Sequence, residues 1–364
     1  MKIKVFVCIP CLCLGGSEIA TLQMIQALAG EYAVTVICYY EHDDRMVRRY
    51  EAVGAGVVLL NEKRNGLYGL WKLLLLLVRL FRRERPDVVH GVYFAPGMIP
   101  LLAARLAGVH RVFATVHAAG GRGYGWKAKL MFRFSAMLTT HFFCVAKNTE
   151  RFWFKKVGGG RHSTIHNGID IDAFANAEPA AIPGIESGDT VIGIVGRVVA
   201  LKGHDCLFRA VKRLVPQIER LKVLVVGDGS DRPKFAALTQ ELGIAERIIW
   251  AGKVEPEDLP GFYKRMDILA MPSHWEGFGL TAAEAMAAGV PVVGSDVPGL
   301  REVIGDAGQL FPVDDDKALC QAVLKIFVNL CEWKTRASQR AKSFALEVQQ
   351  AKWEKAYETL PTEC

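Results

Sequence analysis

The chain has 364 residues, 51% apolar and 23% charged, an ordinary globular composition with more apolar material than one core usually takes, so two domains are expected. The net charge of +7 is uneven: residues 1–170 hold 23 Lys and Arg against 11 Asp and Glu, residues 171–364 hold 22 against 27. A basic half fits an anionic membrane or a phosphorylated substrate, while the absence of any recognised nucleic-acid motif excludes DNA and RNA as expected partners.

Residues 4–9 form a short β-branched apolar run, fit for a buried first strand. Gly15-Gly16-Ser17 follows, then an apolar helix over 18–29, where glycines allow close backbone approach to a diphosphate or a sugar. Strands are expected at 34–39, 57–60, 86–90, 111–116 and 142–145, with helices at 97–107 and 127–139. The leucine-rich stretch from Leu67 to Arg83 contains only six uninterrupted apolar residues, 73–78, too few to span a bilayer, and reads as a buried or interfacial helix. With Lys72, Arg79, Arg82, Arg83 and Arg85 it is a candidate surface for an anionic membrane, alongside a second basic helix with Trp126, Lys127, Lys129 and Arg133. The alternative is that its apolar face is core and its charges are solvated.

Residues 173–189 are rich in Ala, Pro, Gly and Glu and read as an interdomain linker. The alternation then restarts, with strands at 191–195, 223–227, 248–251, 268–271 and 290–293. Helices are expected at 204–215, 233–242, 256–265 and 281–288, and a last one at 344–360. Repeated strand-then-helix order predicts two doubly wound parallel-sheet domains, whose ligands bind outside the strand carboxyl ends, so the cleft between them is the default site. Nine scattered cysteines, an odd number, read as reduced thiols of a cytoplasmic protein. Cys8-x-x-Cys11-x-Cys13 lacks a second Cys/His pair, so no metal is expected. No signal peptide is evident in residues 1–10.

The densest motif is His274-Trp275-Glu276-Gly277-Phe278-Gly279-Leu280-Thr281, continuing to Glu284. Thr281 and Glu284 have the spacing of a capping box, which predicts a helix start near Thr281 with the amides of Gly279, Leu280 and Thr281 free to meet a phosphate. The plainer reading makes Glu284 a cap and Glu276 a solvated loop charge. Two carboxylates separated by seven residues, two glycines and a following strand resemble the signature of the family 4 retaining glycosyltransferases, which have the GT-B fold of two Rossmann-like domains facing across a cleft.

That resemblance implies the following. An acceptor-binding domain spans 1–172 with the C-terminal helix, about 344–364, crossing back to it, and a nucleotide-sugar domain spans 190–343. A hexose moves with retention from a UDP- or GDP-linked donor to a glycan or lipid-linked acceptor, in cell-surface polysaccharide or lipopolysaccharide synthesis, at the inner face of the cytoplasmic membrane. Gly15 and Gly16 form the N-terminal glycine loop. His117 orients donor sugar and acceptor, although Ala118 stands where many relatives have an acid. Arg197 and Lys202 hold the diphosphate, supplying without a metal or other cofactor the positive charge its departure needs. Glu276, Gly277, Phe278 and Gly279 contact the sugar, Leu280 and Thr281 offer amides, and Glu284 holds the ribose hydroxyls. Gly227 and Val254 flank the nucleobase. His166-Asn167-Gly168-Ile169-Asp170 shapes the turn between domains, and acceptor choice lies in loop 118–125. Alternatives are a sugar-nucleotide epimerase of the same architecture and a non-catalytic membrane-docking protein.

Overall fold

A computed structural model describes residues 2–92, 98–117, 126–158 and 160–359. The expected acceptor loop 118–125 lies outside them, as do the first residue of the helix expected at 97–107 and the last of the one at 344–360. The chain divides into two compact units, Met1–Gly168 with Leu346–Cys364, and Ile169–Ala345.

The first unit runs β1 (Ile3–Ile9), α1 (Gly16–Leu28), β2 (Tyr32–Cys38), α2 (Asp44–Ala52), β3 (Gly56–Leu59), α3 (Gly66–Glu84), β4 (Val88–Val92), α4 (Met98–Leu106), β5 (Arg111–Val116), α5 (Trp126–Leu138), β6 (His141–Cys144), α6 (Lys147–Phe154) and β7 (His162–Thr164). The second runs α7 (Ile171–Ala175), β8 (Thr190–Val195), α8 (His204–Leu214), β9 (Leu221–Val226), α9 (Arg232–Glu241), β10 (Ile248–Gly252), α10 (Leu259–Tyr263), β11 (Ile268–Met271), α11 (Leu280–Ala287), β12 (Val292–Ser295), α12 (Pro298–Ile304), β13 (Gly308–Phe311), α13 (Asp316–Val328) and α14 (Leu330–Ala341). The last helix, α15 (Leu346–Thr359), belongs to the first unit.

Each unit is built on a parallel sheet, ordered β3-β2-β1-β4-β5-β6-β7 in the first and β10-β9-β8-β11-β12-β13 in the second. Central strands such as β4 and β5 are buried along their whole length, which is why they read as mostly apolar runs rather than alternating ones. Two apolar clusters cover the faces of the first sheet: α1, α2 and α15 supply one, α3 and α4 the other. In the second unit α8, α9, α13 and β-branched strand residues form one continuous core.

α15 is fixed to the first unit by a buried stripe at helical spacing, Gln349, Trp353 and Tyr357. The Tyr357 hydroxyl lies 2.5 Å from His90 Nδ1, and His90 Nε2 lies 2.6 Å from the Thr115 hydroxyl. Arg111 donates to the Tyr357 carbonyl at 2.7 Å. The His90 ring is fully buried, and that burial lowers its pKa to about 3, so it bridges the two hydroxyls as a neutral group.

Several expectations are corrected. Residues 173–189 are part of the second unit: α7 occupies its start, and the Ala180 amide donates to the Gly261 carbonyl at 3.0 Å. The helix expected at 256–265 shrinks to Leu259–Tyr263, with Pro260 in its first turn. The capping box at Thr281 is not formed. α11 starts one residue earlier, behind Gly279 at φ +96°, a left-handed conformation that glycine adopts without strain.

Candidate functional site

In both sheets the strand order reverses once, between β1 and β4 and between β8 and β11. Loops leaving the carboxyl ends of such neighbours diverge to opposite faces and leave a crevice. In the second unit those loops are Gly196 to Gly203 after β8 and Pro272 to Gly279 after β11. They carry Arg197, Lys202, Glu276, Gly277 and Gly279.

The two loops are packed backbone to backbone. Gly203 sits at φ +68°, and a Cβ there would fall 2.0 Å from the Pro272 carbonyl oxygen. The His274 amide donates to the Leu201 carbonyl at 2.9 Å. A Cβ at Gly299, the second residue of α12, would lie 2.4 Å from the Glu276 carbonyl oxygen. This clamping brings Lys202 and Glu276 together: Nζ donates to Oε1 at 2.5 Å, and the Ser273 hydroxyl donates to the same oxygen at 2.9 Å. Both charges are largely shielded, with side chains 22% and 13% exposed. Arg197 is exposed and makes no side-chain hydrogen bond or ion pair among the described residues. One cation is thus paired and poised, and a second is uncommitted.

Gly279 forms the N-terminal cap of α11, and its carbonyl accepts from the Ala282 and Ala283 amides at 2.9 and 3.3 Å. The amides of Leu280 and Thr281 make no hydrogen bond among the described residues, leaving donors at the positive end of an eight-residue helix. The Phe278 ring is buried against Phe344, centroids 5.5 Å apart. Glu284, one turn further on, caps nothing. Its Oε2 accepts from the Tyr263 hydroxyl at 2.7 Å. Burial pushes the Glu284 carboxyl above its ordinary value, and the Tyr263 hydrogen bond opposes that rise.

Gly227 follows β9 at φ +126°, where a Cβ would meet the Gly196 carbonyl oxygen at 2.0 Å. Its amide donates to the Gly252 carbonyl at 2.7 Å, which ties the end of β9 to the end of β10, and half-buried Val254 lies two residues beyond. These positions offer backbone rather than side-chain chemistry.

In the first unit Gly15 caps α1 in extended conformation, and a Cβ there would lie 2.5 Å from a Glu18 carboxylate oxygen. His117 directly follows β5 and lines a small pocket with Thr21 and Gln23 of α1, Asn167, and Gln349 and Trp353 of α15. Burial lowers the His117 imidazole to about 4, so at neutral pH it acts as a neutral ring. The structure therefore brings His117 and Asn167 to one pocket, while Arg197, Lys202, Glu276 and Glu284 sit in the second unit. Among the described residues no cluster of His, Cys, Asp or Glu has metal-binding geometry, and the described cysteines are free thiols.

Ser273, Tyr263 and Gly299 shape the site and were not found in the sequence. Ser273 lies three residues before Glu276 and had a local signal; Tyr263 and Gly299 reach the site only through tertiary packing. Chemically, the second unit offers a carboxylate one helical turn behind free helix amides, and two cations; amides and cations are the groups that hold a phosphate.

Two family models match. "Glycosyltransferase Family 4" covers residues 14–173, and "Glycosyl transferases group 1" covers residues 177–344. A D-inositol 3-phosphate glycosyltransferase of Mycobacterium sp. (strain JLS) is 38% identical over 154 residues, 40% of this chain, and the match spans only 34% of that relative. The UDP-Gal:alpha-D-GlcNAc-diphosphoundecaprenol alpha-1,3-galactosyltransferase of Escherichia coli is 28% identical over 70% of each chain. The crystal structure of Anabaena HepE with UDP superposes with a TM-score of 0.82 over 99% of this chain and 100% of its own, at 16% identity, which establishes a shared fold. The chain belongs to the family 4 glycosyltransferases of GT-B fold.

Proposed function

We propose that the protein is a retaining glycosyltransferase that moves a hexose from a UDP- or GDP-linked donor to a glycan or lipid-linked acceptor. The observation that carries this reading is the crevice of the second unit. There the Lys202–Glu276 pair and the free amides of α11 lie on loops at the β8/β11 reversal. In this reading Arg197, Lys202 and the Leu280 and Thr281 amides stabilise the leaving diphosphate without a metal. Glu276 and the backbone from Gly277 to Gly279 contact the sugar, Glu284 accepts from the ribose hydroxyls, and Gly227 and Val254 border the base. His117 and the Gly15-Gly16 loop serve the sugar and acceptor. The two carboxylates are not the acid–base pair of a hydrolase, because Glu276 is held by a cation and Glu284 by a tyrosine. The E. coli relative, which acts on a diphosphoundecaprenol-linked sugar, supports a lipid-linked acceptor and a role in cell-surface polysaccharide or lipopolysaccharide synthesis.

The reading places the enzyme at the cytoplasmic face of an anionic bilayer, docked through α3 and α5. No described helix is long and apolar enough to cross a membrane. Yet Leu67, Tyr68, Trp71 and Leu75 of α3, and Trp126, Leu130, Phe134 and Met137 of α5, are exposed at helical spacing. α3 carries four cations and one acid, Glu84, with Lys72 paired to Glu62 at 3.0 Å and Arg83 to Glu84 at 2.9 Å; α5 carries Lys127, Lys129 and Arg133 and no acid. Apolar side chains flanked by an excess of cations suit an anionic interface. Flotation with phosphatidylglycerol vesicles tests this: binding weakened at least tenfold by Trp126→Ala with Leu130→Ala supports it, and equal binding by both proteins removes it.

Transfer itself is tested by incubating the protein with UDP-galactose, UDP-glucose or GDP-mannose and a membrane lipid extract. The anomeric configuration of the product is then read by NMR. Donor turnover with retention supports the reading. Isomerisation of the sugar nucleotide without acceptor would favour the epimerase, and no turnover of any donor would favour a docking scaffold.

A further inference from the structure

We propose that Tyr263 is a positioning residue for the nucleotide site: its buried hydroxyl holds Glu284 by one carboxylate oxygen and presents the other to the ribose hydroxyls of the donor. The proposal rests on the reading of Glu284 as the ribose-binding residue.

Tyr263 ends α10 and is fully buried. Its hydroxyl donates to Glu284 Oε2 at 2.7 Å, while Oε1 makes no hydrogen bond among the described residues. The ring is seated against Phe174 of α7, centroids 5.7 Å apart, which fixes the position of the phenol.

The contrast with Glu276 explains why a tyrosine suits this place. Glu276 is paired with a cation and receives two hydrogen bonds on one oxygen. A cation beside Glu284 would neutralise it and compete for the oxygen that ribose needs. A phenol donates once, carries no charge at neutral pH and leaves Oε1 an anionic acceptor, the strong kind for hydroxyl donors. A glutamate also has several free torsions, and fixing it before the ligand arrives removes that ordering from the cost of binding.

The test is calorimetric binding of UDP, 2′-deoxy-UDP and 3′-deoxy-UDP to wild type, Tyr263→Phe and Glu284→Ala. The readout is the ratio of UDP to deoxy-UDP affinity, which does not depend on the fraction of protein folded because each preparation meets all three ligands. Wild type should prefer UDP by at least tenfold, and Glu284→Ala should abolish the preference. Tyr263→Phe should lower UDP affinity on the order of tenfold while changing deoxy-UDP affinity less than twofold. A preference retained in Tyr263→Phe but lost in Glu284→Ala overturns the positioning role and leaves the nucleotide reading standing. Equal weakening of all three ligands in Tyr263→Phe gives the tyrosine a structural role only and also overturns it. A preference unchanged by Glu284→Ala overturns the ribose assignment, and this proposal with it.

Discussion

Replacing Lys202 by alanine separates the site's stability from its chemistry. The variant removes a 2.5 Å charge-assisted hydrogen bond and leaves the Glu276 carboxylate, 13% exposed, with Ser273 as its remaining partner. A hydrogen bond to a charged group contributes ~1.5–3 kcal/mol, and partial solvation of this pair reduces the expected loss to about 1–2 kcal/mol. In a unit of this size that is a fall in Tm of about 4 °C, so the variant stays folded at 25 °C. Loss of one preorganised stabiliser of developing charge should lower turnover on the order of 100-fold, about 2.7 kcal/mol in the barrier. The assay is UDP release from whichever UDP-sugar the wild-type protein turns over, with uridine binding as a control that the loss should not touch. Wild-type turnover in folded Lys202→Ala protein would refute the reasoning. So would loss of uridine binding in proportion, since that reports collapse of the loop rather than loss of charge.

Other outcomes follow from the packing. His90, His117, His141 and His204 are held neutral by burial, with pKa values lowered to about 3, 4, 4 and 4. The unfolded chain takes up those protons first, so stability should be intact above pH ~6.5 and fall progressively toward pH ~4. Urea midpoints unchanged between pH 7 and pH 4.5 would contradict this. Gly203→Ala puts a Cβ against the Pro272 carbonyl at a left-handed position and should cost more than about 2 kcal/mol by urea unfolding; a loss below about 0.5 kcal/mol would mean the loops separate freely. Glu150 is fully buried, and its carboxylate receives the Thr164 hydroxyl at 2.5 Å and the Gly158 amide at 2.8 Å, with His162 at 2.6 Å. Glu150→Ala should destabilise by about 3 kcal/mol, and a neutral result in thermal melts would show that the edge strand β7 does not depend on it.

The parallel-sheet architecture was legible because buried central strands announce themselves as mostly apolar runs, as at β1, β5, β8 and β11. Short or amphipathic elements were not. α2 buries only Met46 and Tyr50 and is otherwise mostly charged, so its period is too sparse to see. β7 has three residues, His162–Thr164, all polar, because Glu150 satisfies His162 and Thr164 while His141 meets Ser163. The segment beyond residue 293 holds α12, β13, α13 and α14, none of which was assigned. In the site, Gly227 stands where two backbones close on one another, a place that admits only glycine, whereas Lys202 was singled out for the charge a leaving diphosphate needs and not for its packing. The role of Glu284 in its own helix was misread: Thr281 three residues before it mimics a capping box, but the left-handed Gly279 starts the helix earlier and Tyr263 takes the carboxylate. Tyr263 is invisible from sequence because its link to Glu284 exists only once α10 packs beside α11.

The central claim is that the second unit binds a nucleotide diphosphate sugar at this crevice. It is tested most directly by calorimetry of UDP, GDP and ADP and their hexose conjugates against wild type and Glu284→Ala. One nucleotide should bind, and the variant should weaken it at least tenfold. Absence of binding by every nucleotide, or equal affinity in the variant, would contradict it.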